Sequence, residues 1–80
     1  MDKKAKDILF DYILRKYAAG DVIPAFDIFI VWQCKTLQNW KGLLITTLPD
    51  QEYYELTYNG DKHEWYLDAY TKSENICIKE

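Results

Sequence analysis

Punctuation is scarce in this sequence. Three glycines, two prolines, two cysteines and one histidine are spread through 80 residues. Isolated glycines cannot form a loop that cradles phosphate, so nucleotide-binding loops of that kind are excluded. With 49% hydrophobic and 29% charged residues, the chain does not have a disordered profile either. Cys34, His63 and Cys77 could join an Asp or Glu around zinc. Structural zinc sites use close ligand pairs such as C-x2–4-C, and none occurs here. No metal site or cofactor is therefore expected, and a small metal-binding protein stands only as an alternative.

Long apolar runs are also missing. Nothing approaches the roughly 18 residues of a membrane span, so no membrane partner is expected. Residues 1–7 (MDKKAKD) are charged, and no secretory signal is read there. The two thiols are then expected to be reduced and partly buried, in a cytoplasmic protein. A disulfide would require their strands to be neighbours. Positive charge is short as well. The net charge of −3 argues against direct nucleic-acid binding. The imbalance is in the second half: residues 50–80 hold Lys62, Lys72 and Lys79 against eight acids. Such acids are commonly the wet face of an antiparallel sheet, or else a surface aimed at a basic partner.

What the chain does have is a helical stretch followed by alternating runs. Ala5, Ile8, Leu9, Tyr12, Ile13 and Tyr17 recur at three- and four-residue spacing, which predicts a helix over Asp2–Ala19. Phe10 and Leu14 widen its stripe, Asp2 can cap it, and Gly20 suits its end. Asp11 and Arg15 are placed for an ion pair. Lys3, Lys4 and Lys6 read as a solubilising start or a small basic knuckle. Pro24 interrupts the chain before Phe26–Leu37, which alternates as a strand. That alternation sets Phe26, Ile28, Ile30, Trp32 and Cys34 on one apolar face, under the helix. Gln38-Asn39 is a turn candidate. In the next run, Trp40 to Leu48, Trp40, Leu44 and Leu48 alternate against Lys41, Leu43, Ile45 and Thr47, and Gly42 suggests a close backbone approach. Pro49-Asp50 and Thr71–Asn75 are further turns, and Ile76 and Ile78 suggest a short last strand.

Between the last two turns lies Glu52–Tyr70, EYYELTYNGDKHEWYLDAY, with two aromatic-rich runs around Asn59-Gly60. That dipeptide predicts a tight hairpin. A two-residue turn sets Tyr54 opposite Trp65, Tyr53 opposite Tyr66, and Glu55 against Glu64, which repel. One extra loop residue would instead set Glu55 opposite Trp65. The two registers stay open. Short connections favour an antiparallel meander. The expected fold is a single α+β domain over residues 1–80, with one N-terminal helix packed on a four- to five-stranded antiparallel meander.

Catalytic constellations are weak. Cys34 on an apolar face would be an inert thiol rather than a nucleophile. Glu52, Glu55, Glu64 and Asp68 could approach across strands, but a sugar-cleaving pair also needs a long cleft. The hairpin tyrosines resemble a stacking platform for single strands, yet Lys62 is the one lysine among them. No enzyme activity is expected. Protein recognition survives, because Tyr and Trp are enriched at interface hot spots. The candidate protein-binding residues are Tyr53, Glu55, Glu64, Tyr66 and Asp68. An exposed last strand would also permit a homodimer.

The segments VWQCKTLQNWKGLLITTLPD and YYELTYNGDKHEWYLDAY resemble a family of small uncharacterised phage and prophage proteins of Gram-positive bacteria. The resemblance covers roughly residues 28–78 and carries no catalytic motif. It implies a phage-encoded accessory protein in the cytoplasm of the bacterial host. Its expected partner is a host protein, such as a nucleic-acid-handling defence enzyme that an anti-CRISPR inhibitor would block. A structural or self-assembling phage component is the alternative.

Overall fold

The computed structural model describes residues 1–17, 22–49, 52–71 and 76–79. One helix, α1 (Asp2–Lys16), precedes four strands: β1 (Ile28–Thr36), β2 (Asn39–Thr46), β3 (Glu52–Asn59) and β4 (Glu64–Thr71). They form one antiparallel sheet in the order β1-β2-β3-β4. This is the expected α+β meander, with four strands. Residues 76–79 form no strand, and Ile76 and Ile78 are exposed. Two isoleucines offer too little burial to offset the entropy of ordering another edge strand. Thr71 closes β4 rather than opening a turn, and the rest of that predicted turn lies outside the described residues.

Helix α1 buries Ala5, Leu9 and Ile13 completely, on the predicted face. Opposite them lie Trp40, Leu44, Leu48, Tyr54 and Leu56. Fully burying an aliphatic side chain of this size is worth about 1.5–3 kcal/mol. Phe10 stacks on Phe26 at 5.5 Å but stays partly open to solvent. The helix cap is Met1, not Asp2. Asp2 instead sits in the first turn and accepts a hydrogen bond from Gln33 Nε2 at 3.4 Å. Tyr17 is already extended, and the predicted Gly20 terminus lies outside the described residues. Asp11 and Arg15 pair at 3.1 Å, as their spacing predicts. At the other end Lys16 donates to Glu52 at 2.7 Å, and the buried Tyr54 donates its hydroxyl to the same carboxylate at 3.1 Å. The Lys16 hydrogen bond is the main reason Glu52 titrates below the ordinary 4.5. A depressed carboxylate contributes stability above that value and loses it as the pH falls further.

Strand β1 departs from simple alternation. Its pairing with β2 runs Ile28↔Thr46 to Ile30↔Leu44, then resumes at Trp32↔Leu43. Val31 is therefore an extra residue, a β-bulge that shifts facing by one. Ile28 and Ile30 lie on the helix side with Leu44. Trp32 and Cys34, expected under the helix, pair with Leu43 and Lys41 on the opposite side. Gln33 takes the helix side instead, where its Oε1 accepts from Trp40 Nε1 at 2.9 Å. Both thiols are free and exposed, contrary to the expected partial burial.

The hairpin loops differ from the predicted ones. Asn39 belongs to β2 and pairs with Thr36, so the first turn is Leu37–Gln38. Leu37 holds φ at +55° and is 82% exposed. In β3–β4 the closing pair is Asn59↔Glu64, leaving the four-residue loop 60–63. Neither predicted register occurs. Tyr53 faces Tyr70, Tyr54 faces Ala69, and Glu55 faces Asp68. The cause is tertiary. Asn59 Oδ1 accepts from the amides of Asp61 and Lys62 at 3.1 and 3.3 Å, and so caps the loop. Gly60 donates its amide to Asn39 Oδ1 at 3.0 Å. A Cβ there would meet the Gln38 carbonyl oxygen at 2.2 Å, so glycine is required for this contact. A Gln38–Asp61 hydrogen bond completes the lock between the two hairpin tips. Within this loop His63 holds φ at +53°.

Trp40, Gly42 and Leu44 alternate toward the helix. The Trp40 ring lies over Gly42, where a Cβ would come within 2.3 Å of it. Because Trp40 is itself buried, the ring has little room to yield. Gly42→Ala is expected to destabilise the fold by about 1–3 kcal/mol. An unchanged urea midpoint would reject this packing. Leu37→Gly should raise stability by about 1 kcal/mol, because glycine relieves the strained turn backbone. The same denaturation assay reads it, and a lowered midpoint would show that the exposed leucine stabilises the turn.

Candidate functional site

Only one face of the sheet is covered by the helix. Cross-strand partners share a face, so the registers define what the other face presents. One row runs Phe29–Ile45–Tyr53–Tyr70 across all four strands. These side chains are 49, 38, 41 and 40% exposed. The next row is Trp32–Leu43–Glu55–Asp68, and the third is Cys34–Lys41–Thr57–Tyr66. Glu64 ends the face, opposite Asn59. An open cleft lined by Trp32, Cys34, Thr36, Lys41 and Thr57 lies along one side. All five residues singled out in the sequence, Tyr53, Glu55, Glu64, Tyr66 and Asp68, stand on this one open face.

The structure adds Phe29, Trp32, Ile45 and Tyr70 to them. Tyr70 was legible, since it shares the parity of Tyr66 and Asp68. Trp32 was hidden by the bulge. Among the described residues of this face, the carboxylates Glu55, Glu64 and Asp68 stand with one lysine, Lys41, whose Nζ is 3.4 Å from Glu55. That contact eases the Glu55–Asp68 opposition, which replaces the predicted Glu55–Glu64 clash. Tyr66 donates its hydroxyl to Glu64, and this bond, with the Glu64 charge, raises the Tyr66 pKa. Tyr53 and Tyr70 stack at 5.1 Å with 16° between their planes. Tyr70 is also pushed up, first by the charge of Glu55 and then by that of Asp68. The open face therefore carries a negative potential over exposed rings.

His63 Nδ1 lies 3.2 Å from the Tyr58 hydroxyl in the hairpin loop. Among the described residues, no three His, Cys, Asp or Glu side chains converge as a metal site. No described helix is long and apolar enough to cross a membrane.

A raised tyrosine pKa means that the fold favours the neutral phenol. Stability from Tyr70 is present below the ordinary value of 10.0 and is lost as the pH rises past it. Glu55→Gln is expected to move the Tyr70 titration down toward that value, followed by NMR of the ring. A Tyr70 titration that ignores Glu55→Gln would contradict the charge arrangement described for this face.

Residues 2–80 match a family of unknown function, DUF6275, and the chain belongs to it. No curated protein and no solved structure matches it.

Proposed function

We propose that this DUF6275 protein is a non-catalytic recognition module that binds a partner protein through its open sheet face. The observation that carries this reading is the uncovered row Phe29–Ile45–Tyr53–Tyr70, lying beside Glu55, Asp68 and Glu64. A contiguous exposed apolar patch rimmed by charge is the usual physical mark of a docking surface. Tyrosine contributes large contact area with few rotatable bonds, which suits a hot spot. The surplus of acids selects a basic partner and speeds its encounter.

Resemblance to small phage proteins supplies the biological setting of the proposal. The protein acts in the cytoplasm of a bacterial host and modulates or inhibits a host protein. Enzymes that handle nucleic acid, CRISPR effectors among them, present basic surfaces shaped for phosphates. An acidic, aromatic face can cover such a surface and compete with the nucleic acid.

The tagged protein should retain one host protein from a bacterial lysate at low salt and release it as salt rises. Tyr53→Ala, Tyr66→Ala and Glu55→Lys should each reduce its recovery several-fold. If the partner stays bound to all three variants, the open face is not the contact. Sedimentation that finds a stable oligomer, with no host protein retained, would favour a structural role instead.

A further inference from the structure

The middle of the open face holds a carboxylate that has no countercharge among the described residues. Asp68 lies on β4 between Tyr66 and Tyr70 at two-residue spacing, so the three side chains leave the same face. Its direct cross-strand partner is Glu55. Lys41 reaches Glu55 at 3.4 Å, but among the described residues no Lys, Arg or His pairs with Asp68. One row away, about 7 Å along the strands, the Tyr53 and Tyr70 rings stack at 5.1 Å with their planes 16° apart. A carboxylate pair beside a stacked aromatic platform is complementary to a flat, delocalised cation.

Other occupants suit the face less well. Calcium takes six to eight oxygen ligands, and this row offers two carboxylates. A second copy of the chain, packed face to face, would bring Glu55, Glu64 and Asp68 against their own equivalents, with Lys41 as the one cation among the described residues of each face. Lysine brings charge, but its compact, strongly hydrated ammonium neither forks onto a carboxylate nor stacks on a ring. Guanidinium does both, and loses less hydration in doing so.

Resting on the docking reading above, we infer that the partner inserts an arginine side chain at the Glu55–Asp68 row. The guanidinium forks onto Asp68, with Glu55 adding charge from across the strand, and its plane lies against the Tyr53–Tyr70 pair. Apolar neighbours of that arginine meet Phe29, Ile45 and Leu43. Specificity then comes from the planar cation, and affinity from the apolar row around it.

The probes are three synthetic decapeptides of the same sequence, rich in leucine and serine and carrying three arginines, three lysines or three citrullines. Each is titrated into the isotope-labelled full chain and followed by NMR. The arginine peptide should shift amides of β3 and β4 and bind about tenfold more tightly than the lysine peptide. Citrulline keeps the planar shape without the charge, and its peptide should lose most of the affinity. Asp68→Asn should weaken arginine-peptide binding about tenfold and leave the rest of the spectrum, and hence the fold, unchanged. Equal affinity for the arginine and lysine peptides overturns the arginine inference and leaves a basic partner in place. Silence of the open face toward all three peptides also overturns it. The docking reading is judged separately, by recovery of the host protein with Glu55→Lys.

Discussion

One helix has to cover four strands, and it cannot cover both sides. A helix is about 10 Å across with its side chains, whereas four strands span about 19 Å. Helix α1 places Ala5, Leu9 and Ile13 over the middle of the sheet, against Leu44, Tyr54 and Leu56. Toward the hairpin tips, the helix side is filled by the rings of Trp40, Tyr58 and Trp65, which touch at 5.0 to 5.8 Å. No described element lies over the opposite face. The large side chains whose parity points that way therefore stay in water, and the candidate site is the remainder of this coverage.

Two local features decide which side chains those are. The Val31 bulge transfers Trp32 and Cys34 to the open face and turns Gln33 to the helix side. Gln33, on the helix side but still exposed, then accepts from Trp40 and donates to Asp2, which ties β1 to β2 and to the start of the helix. The second feature is the lock between the hairpin tips through Asn39, Gly60, Gln38 and Asp61. It holds the β3–β4 loop at four residues and thereby sets Tyr53 against Tyr70 and Glu55 against Asp68.

These pairings concentrate charge and rings in one place. Glu52 is on the covered side, where Lys16 and Tyr54 satisfy it, so it belongs to the fold. Glu55, Glu64 and Asp68 are on the open side with Lys41. The same acidic half of the chain thus serves two purposes, according to which face each residue takes.

By itself the sequence determined the α+β class, the helix and its buried face, the antiparallel meander and the fact that Tyr53 and Tyr66 share a face. These follow from short-range periodicity, which each segment carries within itself. The Asp11–Arg15 pair was legible for the same reason. Tertiary structure alone decided the bulge, the loop length and the cross-strand partners. A single inserted residue reverses every later facing in a strand, and nothing in IFIVWQCKT marks where the insertion falls. Asn59-Gly60 suggested a tight turn, but Gly60 is held by a contact to another hairpin, which no local pattern encodes. So which hairpin side chains share a face was readable, whereas which face stays open, the Glu55–Asp68 pairing and the Tyr53–Tyr70 stack were settled only when the helix and distant strands met.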